Sequence, residues 1–325
     1  MSLGSRALAV MEPVPLAPHD RGAERHGRAR RRRKALAPYA MLTPLVLLIL
    51  GFVAYPVLNV VYYSFQNYNV VEPFLNGFAG WSNYSTMFRH DPLFWTSLEF
   101  TAKWVFAEVF LQLVFGLVLA LILNSAFRGR GIARALVFAP WAVSGVLTTT
   151  IWLLIYDPQA GLIGYLSDLG LTPHGFTILA DTHTVFWAAI LAELWRGLPF
   201  FAIILLADLQ SIPSELIEAA NCDGANAWTR FRYIVAPHLR DAVILSTLLR
   251  CVWEFNNVDL LYTLTNGGPG TETTTLPLYI ARQAITEHNF GYGSALTMAG
   301  FVILLVFSIA YLKFSKFGVS RGYAP

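Results

Sequence analysis

Long apolar runs alternate with short polar ones along most of this chain. A membrane-spanning helix needs about 20 mostly apolar residues, and six stretches supply them, near 38–65, 98–124, 134–156, 184–207, 241–264 and 291–314. The first and third carry no charge over their central turns, whereas the second, fourth and fifth do. Between these stretches lie 66–97, 157–183 and 265–290 on one side, and 125–133, 208–240 and the tail from 315 on the other. No period-two alternation marks a sheet. The pattern predicts an all-α integral membrane protein with six transmembrane helices filling 35–314.

Composition supports that reading. The chain is 55% hydrophobic and 13% charged, against about 25% charged in soluble domains. Residues 1–34, rich in Arg, Pro, Ala and Gly, predict a disordered basic arm. The apolar run that follows exceeds the 7–15 residues of a signal-peptide core, so a retained first helix is expected. Cys222 and Cys251 have no metal-type or disulfide spacing and read as packing residues.

Basic residues set the orientation. Arg128, Arg130, Arg230, Arg232, Arg240, Lys316 and Arg321 share a side with the basic arm, and the opposite loops hold Arg89 and Arg282. Basic loops stay cytoplasmic. Both termini and the loop 208–240 are therefore expected in the cytoplasm, the tail 315–325 included. Tyr62, Tyr63, Trp81, Trp95 and Trp141 fall near predicted interfaces, as aromatic belts do.

The loop is a polar island, SIPSELIEAANCDGANAWTRFRYIVAPHLR over 211–240. Ser214 is expected to cap a first helix that carries Glu215 and Glu218 in its early turns. Ala219 and Ala220 leave a bare surface for close approach. Gly224 suits the turn after a helix. A second helix follows over 225–235, with Trp228, Phe231 and Ile234 on one face, and Pro237 is expected to stop it. On the residues alone, an amphipathic hairpin on the lipid surface competes with a docking surface.

Glu218-Ala219-Ala220, Asp223-Gly224-Ala225, Phe231, Ile234 and Pro237 resemble the EAA loop of binding-protein-dependent ABC importer permeases. Ala236 and Asp241 depart from that pattern, where Leu and a second Pro are usual. The stretch NNVDLLYTLTNGGPGTETTT over 256–275 is similar to carbohydrate-importer permeases, as is Phe290-Gly291-Tyr292-Gly293-Ser294-Ala295. The general likeness is to trehalose-importer permeases of actinobacteria. The resemblance implies a type I ABC importer permease fold and a sugar substrate, a disaccharide such as trehalose. It implies that Glu218, Ala219, Ala220, Asp223, Gly224, Phe231 and Pro237 couple to a separate ATPase. It also implies a second permease, two nucleotide-binding subunits and an extracytoplasmic solute-binding protein, met by the external loops including 267–275.

Charges inside the membrane are costly, about 2.5–3.5 kcal/mol at a helix centre on insertion scales, and face cavities or partners. Glu99 and Lys103 are spaced for an ion pair, and Glu108 lies deeper. Glu193 and Arg196 share a face, and Arg250, Glu254 and Asn257 form one stripe. Trp253 with Glu254, Asn256, Asn257 and Asp259 offers a stacking face beside hydrogen-bonding groups, which suits a sugar. With Glu193 and Arg196 they are the candidate substrate path, and self-satisfied structural pairing is the competing reading.

No G-x-x-x-x-G-K-[ST] phosphate loop, H-E-x-x-H or G-x-S-x-G occurs in the sequence, and the histidines lack ligand spacing. The chain is expected to be no enzyme and to hold no metal or cofactor, with ATP and Mg bound by partner subunits. No role in nucleic-acid binding is expected of the basic arm. A proton- or ion-coupled carrier would also place carboxylates in its helices, and is the alternative.

Overall fold

The computed structural model describes Tyr39 and residues 41–315. The predicted arm 1–34 and all of the predicted tail but Ser315 lie outside the described residues. The chain divides into two compact units, Met1–Asn59 and Val60–Pro325. Of the first, the described part is helical. It belongs to α1, Met41–Ser64, whose turns at Leu50–Ala54 are π-helical.

The second unit holds the rest. A β-hairpin of β1 (Gln66–Asn67) and β2 (Gly77–Phe78) leads to α2 (Ser82–Arg89) and α3 (Pro92–Asn124). Then come α4 (Arg130–Ala142), α5 (Gly145–Ile155), α6 (Leu162–Asp168) and α7 (Val185–Leu209). The cytoplasmic-loop candidate forms α8 (Ser214–Cys222), α9 (Ala227–Arg230) and a π turn at Phe231–Val235. The chain ends with α10 (Ala236–Phe255), α11 (Asp259–Leu264), α12 (Leu276–Ile285) and α13 (Phe290–Ser315).

Among the described residues, α1, α3, α7 and α13 are each long and apolar enough to cross a membrane. The bent pair α4–α5 makes a fifth candidate, with 100° between its halves. The third predicted span is therefore not straight. Val143 is extended (ψ 136°), and the Ser144 hydroxyl accepts from Leu147 N at 3.3 Å, which starts a new helix. Such a side-chain cap competes with continuation of the old helix. The fifth predicted span stops at Phe255 rather than near 264. Helix α10 carries Arg240, Asp241, Arg250 and Glu254, too many charges to pass as a span on composition.

Helix α3 is the centre of the second unit. Asp91 caps its N-terminus, accepting from Leu93 N at 2.9 Å and Phe94 N at 3.2 Å, a device that contributes about 1 kcal/mol. The same carboxylate accepts from Tyr279 at 2.8 Å and from Tyr292, which ties α3 to α12 and α13. Burial, with Asp91 beside it, pushes the Tyr279 phenol above its usual range. Against α7, α3 packs most closely at Gly116. A Cβ on Gly116 would lie 2.5 Å from Phe201 Cβ, so only glycine allows this approach. Small residues let helix backbones approach closely, and the van der Waals packing gained is one source of helix association in lipid.

Two expectations about the loop need correction. Pro237 does not stop the second helix, which runs on through the π turn into α10. Proline has no N–H to give the carbonyl one turn back, and its ring crowds that carbonyl. The wider π turn just before it relieves both, and Ala236 N donates to Phe231 O, five residues back. The π turn of α1 likewise ends two residues before Pro56. Ser214 is the first residue of α8, with no side-chain cap.

Candidate functional site

Three helices of the second unit meet around Arg250. Its Nε donates to Gln112 Oε1 of α3 at 2.6 Å, and Nη2 to Glu193 Oε1 of α7 at 2.9 Å. The same nitrogen lies 2.5 Å from Glu254 Oε1, one turn on. Gln112 Nε2 donates in turn to Glu108 Oε2 (2.9 Å) and Glu254 Oε1 (3.2 Å). Arg196 forks onto Glu193, Nε to Oε2 at 3.0 Å and Nη2 to both oxygens at 2.8–2.9 Å. Glu108, Gln112 and Glu193 are fully buried. Glu193 meets two guanidinium groups, the pairing a buried charge requires, whereas Glu108 meets only the Gln112 amide, and its Oε1 has no hydrogen-bond partner among the described residues.

Gly197 makes room for the network. A Cβ there would fall 2.3 Å from Arg250 Nη2 and 2.4 Å from Gln112 Nε2. Both atoms end flexible side chains, but hydrogen bonds pin them. Gly197→Ala is expected to lower stability by about 1–3 kcal/mol as these groups are forced off their partners. Thermal unfolding of the detergent-solubilised protein checks this, and an unchanged midpoint would refute the packing.

One side of the network opens to a cleft of ≈ 290 Å³ lined by Trp141, Val143, Glu193, Arg196, Arg250, Trp253, Glu254 and Asn257. Asn257 reaches Glu254 Oε2 only at 3.4 Å, leaving its amide available to a ligand. Of the sequence candidates, Glu193, Arg196, Trp253, Glu254 and Asn257 come together here. Asn256 does not: it donates to Val252 O at 2.8 Å and borders a separate, mostly apolar groove. Asp259 is exposed beside the cleft, and it and Arg196 both face Gly145. Sequence reasoning missed Gln112 and Gly197, and did not assign Trp141 to the cleft. Glu99 and Lys103 pair as expected, at 2.6 Å on the exposed surface.

The loop 208–240 folds as a unit. Gly224 has φ +78°, the left-handed turn expected of it. Arg230 Nη1 donates to Asn221 Oδ1 at 2.5 Å and to Ala225 O at 3.0 Å, clamping α8 to α9. Ser211 Oγ and His238 Nε2 lie 2.8 Å apart and join the two ends of the loop. Glu218, Ala219, Asp223, Gly224 and Pro237 are exposed, while Ala220 and Phe231 are half-buried. Trp228 stacks on Phe231 at 5.7 Å and stays 67% exposed. Cys222 is exposed, contrary to a packing role, and Cys251 is buried. In the loop 265–275, Thr273, Thr274 and Thr275 are buried, held by bonds such as Thr273 Oγ1 to Gly268 O at 2.7 Å. The tip at 270–272 is exposed, as is Asn266.

A mostly helical membrane chain with a polar cleft and an exposed helical loop is consistent with a permease. Residues 112–316 match the family described as binding-protein-dependent transport system inner membrane component. The trehalose/maltose transport system permease protein MalF of Thermococcus litoralis is 36% identical over 88% of this chain and 95% of its own length. The trehalose transport system permease protein SugA of Mycobacterium tuberculosis is 29% identical over 85% and 87%. A bacterial ABC transporter involved in alginate import has a chain that superposes with TM-score 0.73, at 21% identity, covering 90% of this chain and 98% of that one; it shows the shared fold. The chain belongs to the family of binding-protein-dependent transport system inner membrane components. It is a multi-pass membrane permease of the ABC importer class, and not an enzyme.

Proposed function

We propose that this chain forms one half of the translocation path of an ATP-driven importer of a neutral disaccharide of the trehalose–maltose kind. The cleft carries the reading. Trp141 and Trp253 offer apolar faces for a sugar ring, and Asn257, Glu193 and Glu254 offer hydrogen-bonding groups for hydroxyls. A few placed polar groups on an aromatic wall are how small-ligand sites obtain specificity. The named relatives support the substrate class. A second permease closes the cleft from the other side, and a solute-binding protein delivers the sugar at the outer loops. The loop 208–240 docks on one of two ATPase subunits through Glu218, Ala219, Asp223 and Gly224, with ATP and Mg held by those subunits. Both termini and this loop face the cytoplasm.

The test is uptake of labelled trehalose and maltose by cells expressing the assembled transporter. Trp253→Ala and Asn257→Ala are each expected to raise the half-saturation concentration about tenfold, the effect of roughly 1.4 kcal/mol of lost binding. Wild-type kinetics in both variants, with the complex intact, would remove the cleft from the path. ATP-independent uptake that an uncoupler abolishes would favour an ion-coupled carrier instead.

A further inference from the structure

The hairpin between α1 and α2 is built around an apolar tip. From 62 to 81 the sequence runs YYSFQNYNVVEPFLNGFAGW, with Glu72 its one charge. β1 and β2 pair antiparallel, Gln66 opposite Phe78. Asparagine side chains meet the backbone's demands inside the turn. Asn67 Nδ2 donates to Leu75 O, and Asn76 Oδ1 accepts from Asn69 N, both at 2.8 Å. Asn69 Oδ1 accepts from Val71 N at 2.8 Å and Glu72 N at 3.3 Å. A turn this well satisfied is fixed in shape, yet it presents Val70, Val71, Phe74 (81% exposed), Leu75 and Phe78 (80% exposed) outward. Contiguous apolar surface of this kind marks an interaction site.

The hairpin's depth is set by α13. Val70 N donates to His288 O at 3.2 Å, and Gly291 N to Tyr68 O at 3.0 Å. A Cβ on Gly291 would lie 2.2 Å from Gln66 O, so glycine is what lets the first turn of α13 meet the hairpin. The clamp therefore holds the tip at the level where an apolar span begins, a few residues after α1 itself ends. Tyr62 and Trp81, both exposed, flank it. Tyr and Trp concentrate at that level of a bilayer. A protein-docking patch carries a polar rim with hydrogen-bonding and charged groups, whereas this tip has Glu72 as its one charge and turns its asparagine side chains onto its own backbone. Internal satisfaction of backbone polar groups is also what a lipid environment requires.

We propose that the tip Val70, Val71, Phe74, Leu75 and Phe78 inserts into the headgroup–acyl boundary of the leaflet where α13 starts, anchoring that end of the helix. The test is site-directed spin labelling of the full transporter, reconstituted in phosphatidylcholine vesicles, with every native cysteine replaced. Nitroxides at Phe74→Cys and, separately, Phe78→Cys are compared for collision with oxygen, which partitions into lipid, and with a water-soluble nickel chelate. Several-fold greater accessibility to oxygen at both sites is the expected result. Greater accessibility to nickel would overturn the proposal by placing the tip in water. Low accessibility to both reagents would overturn it by placing a protein partner there.

Discussion

Replacing Arg250 with methionine is expected to lower the unfolding midpoint of the solubilised protein by about 10 °C. Arg250 is 6% exposed and holds Gln112, Glu193 and Glu254 together from α10. Removing one member of a buried ion pair leaves uncompensated charge, at about 3–5 kcal/mol, and each kcal/mol lowers the midpoint by roughly 2–4 °C in a domain of this size class. The two acids do not suffer equally. Glu193 keeps the forked bond from Arg196, whereas Glu254 loses its cation and retains only the amides of Gln112 and Asn257. Adding Glu254→Gln to Arg250→Met is therefore expected to recover more of the midpoint than adding Glu193→Gln. A midpoint for Arg250→Met within about 1 °C of wild type would show that the network does not hold the bundle, since the predicted loss is several times that.

Gly224→Val is expected to abolish transport while lowering the unfolding midpoint by only about 2–8 °C. The residue sits at φ +78° between α8 and α9, and a Cβ at this position would meet nothing within 4 Å. Steric room is therefore ample, and only backbone strain opposes the substitution. A left-handed conformation costs an L-residue about 1–2 kcal/mol, more when the side chain is β-branched. The turn is expected to relax and swing α8, with Glu218 and Ala219, away from its present angle to α9. Gly224→Asn, which tolerates that conformation, is expected to retain most activity. The measurement is ATPase stimulation by sugar-loaded binding protein in the assembled complex, with uptake alongside. Full stimulation in Gly224→Val would remove the loop from coupling.

Much of this architecture is written in local spacing. Glu193–Arg196 and Arg250–Glu254 are one helical turn apart, so the sequence pairs them without knowledge of the fold. Gly224 follows from the same local logic. What the sequence hides is contact across the bundle. Gln112 and Arg250 are 138 positions apart, and nothing in either neighbourhood singles out Gln112 from other polar residues. Gly197 is legible only once both side chains lie over it. The bend at Ser144 depends on a single capping hydroxyl in a run apolar enough to read as one span. Pro237 misleads for a clear reason: the rule that proline ends a helix assumes α geometry, and a π turn escapes it.

That passage through Pro237 makes a lever. From Ala227 to Arg250 the chain is helical throughout, about 35 Å at 1.5 Å per residue. A tilt of about 5° pivoting at Ala227 moves the far end sideways by about 3 Å, from the same rise per residue. That displacement equals a hydrogen-bond length. If the helix moves as one body, a rotation of that size imposed on the loop is expected to separate Arg250 from Gln112 and Glu193, and so to reshape the wall of the cleft.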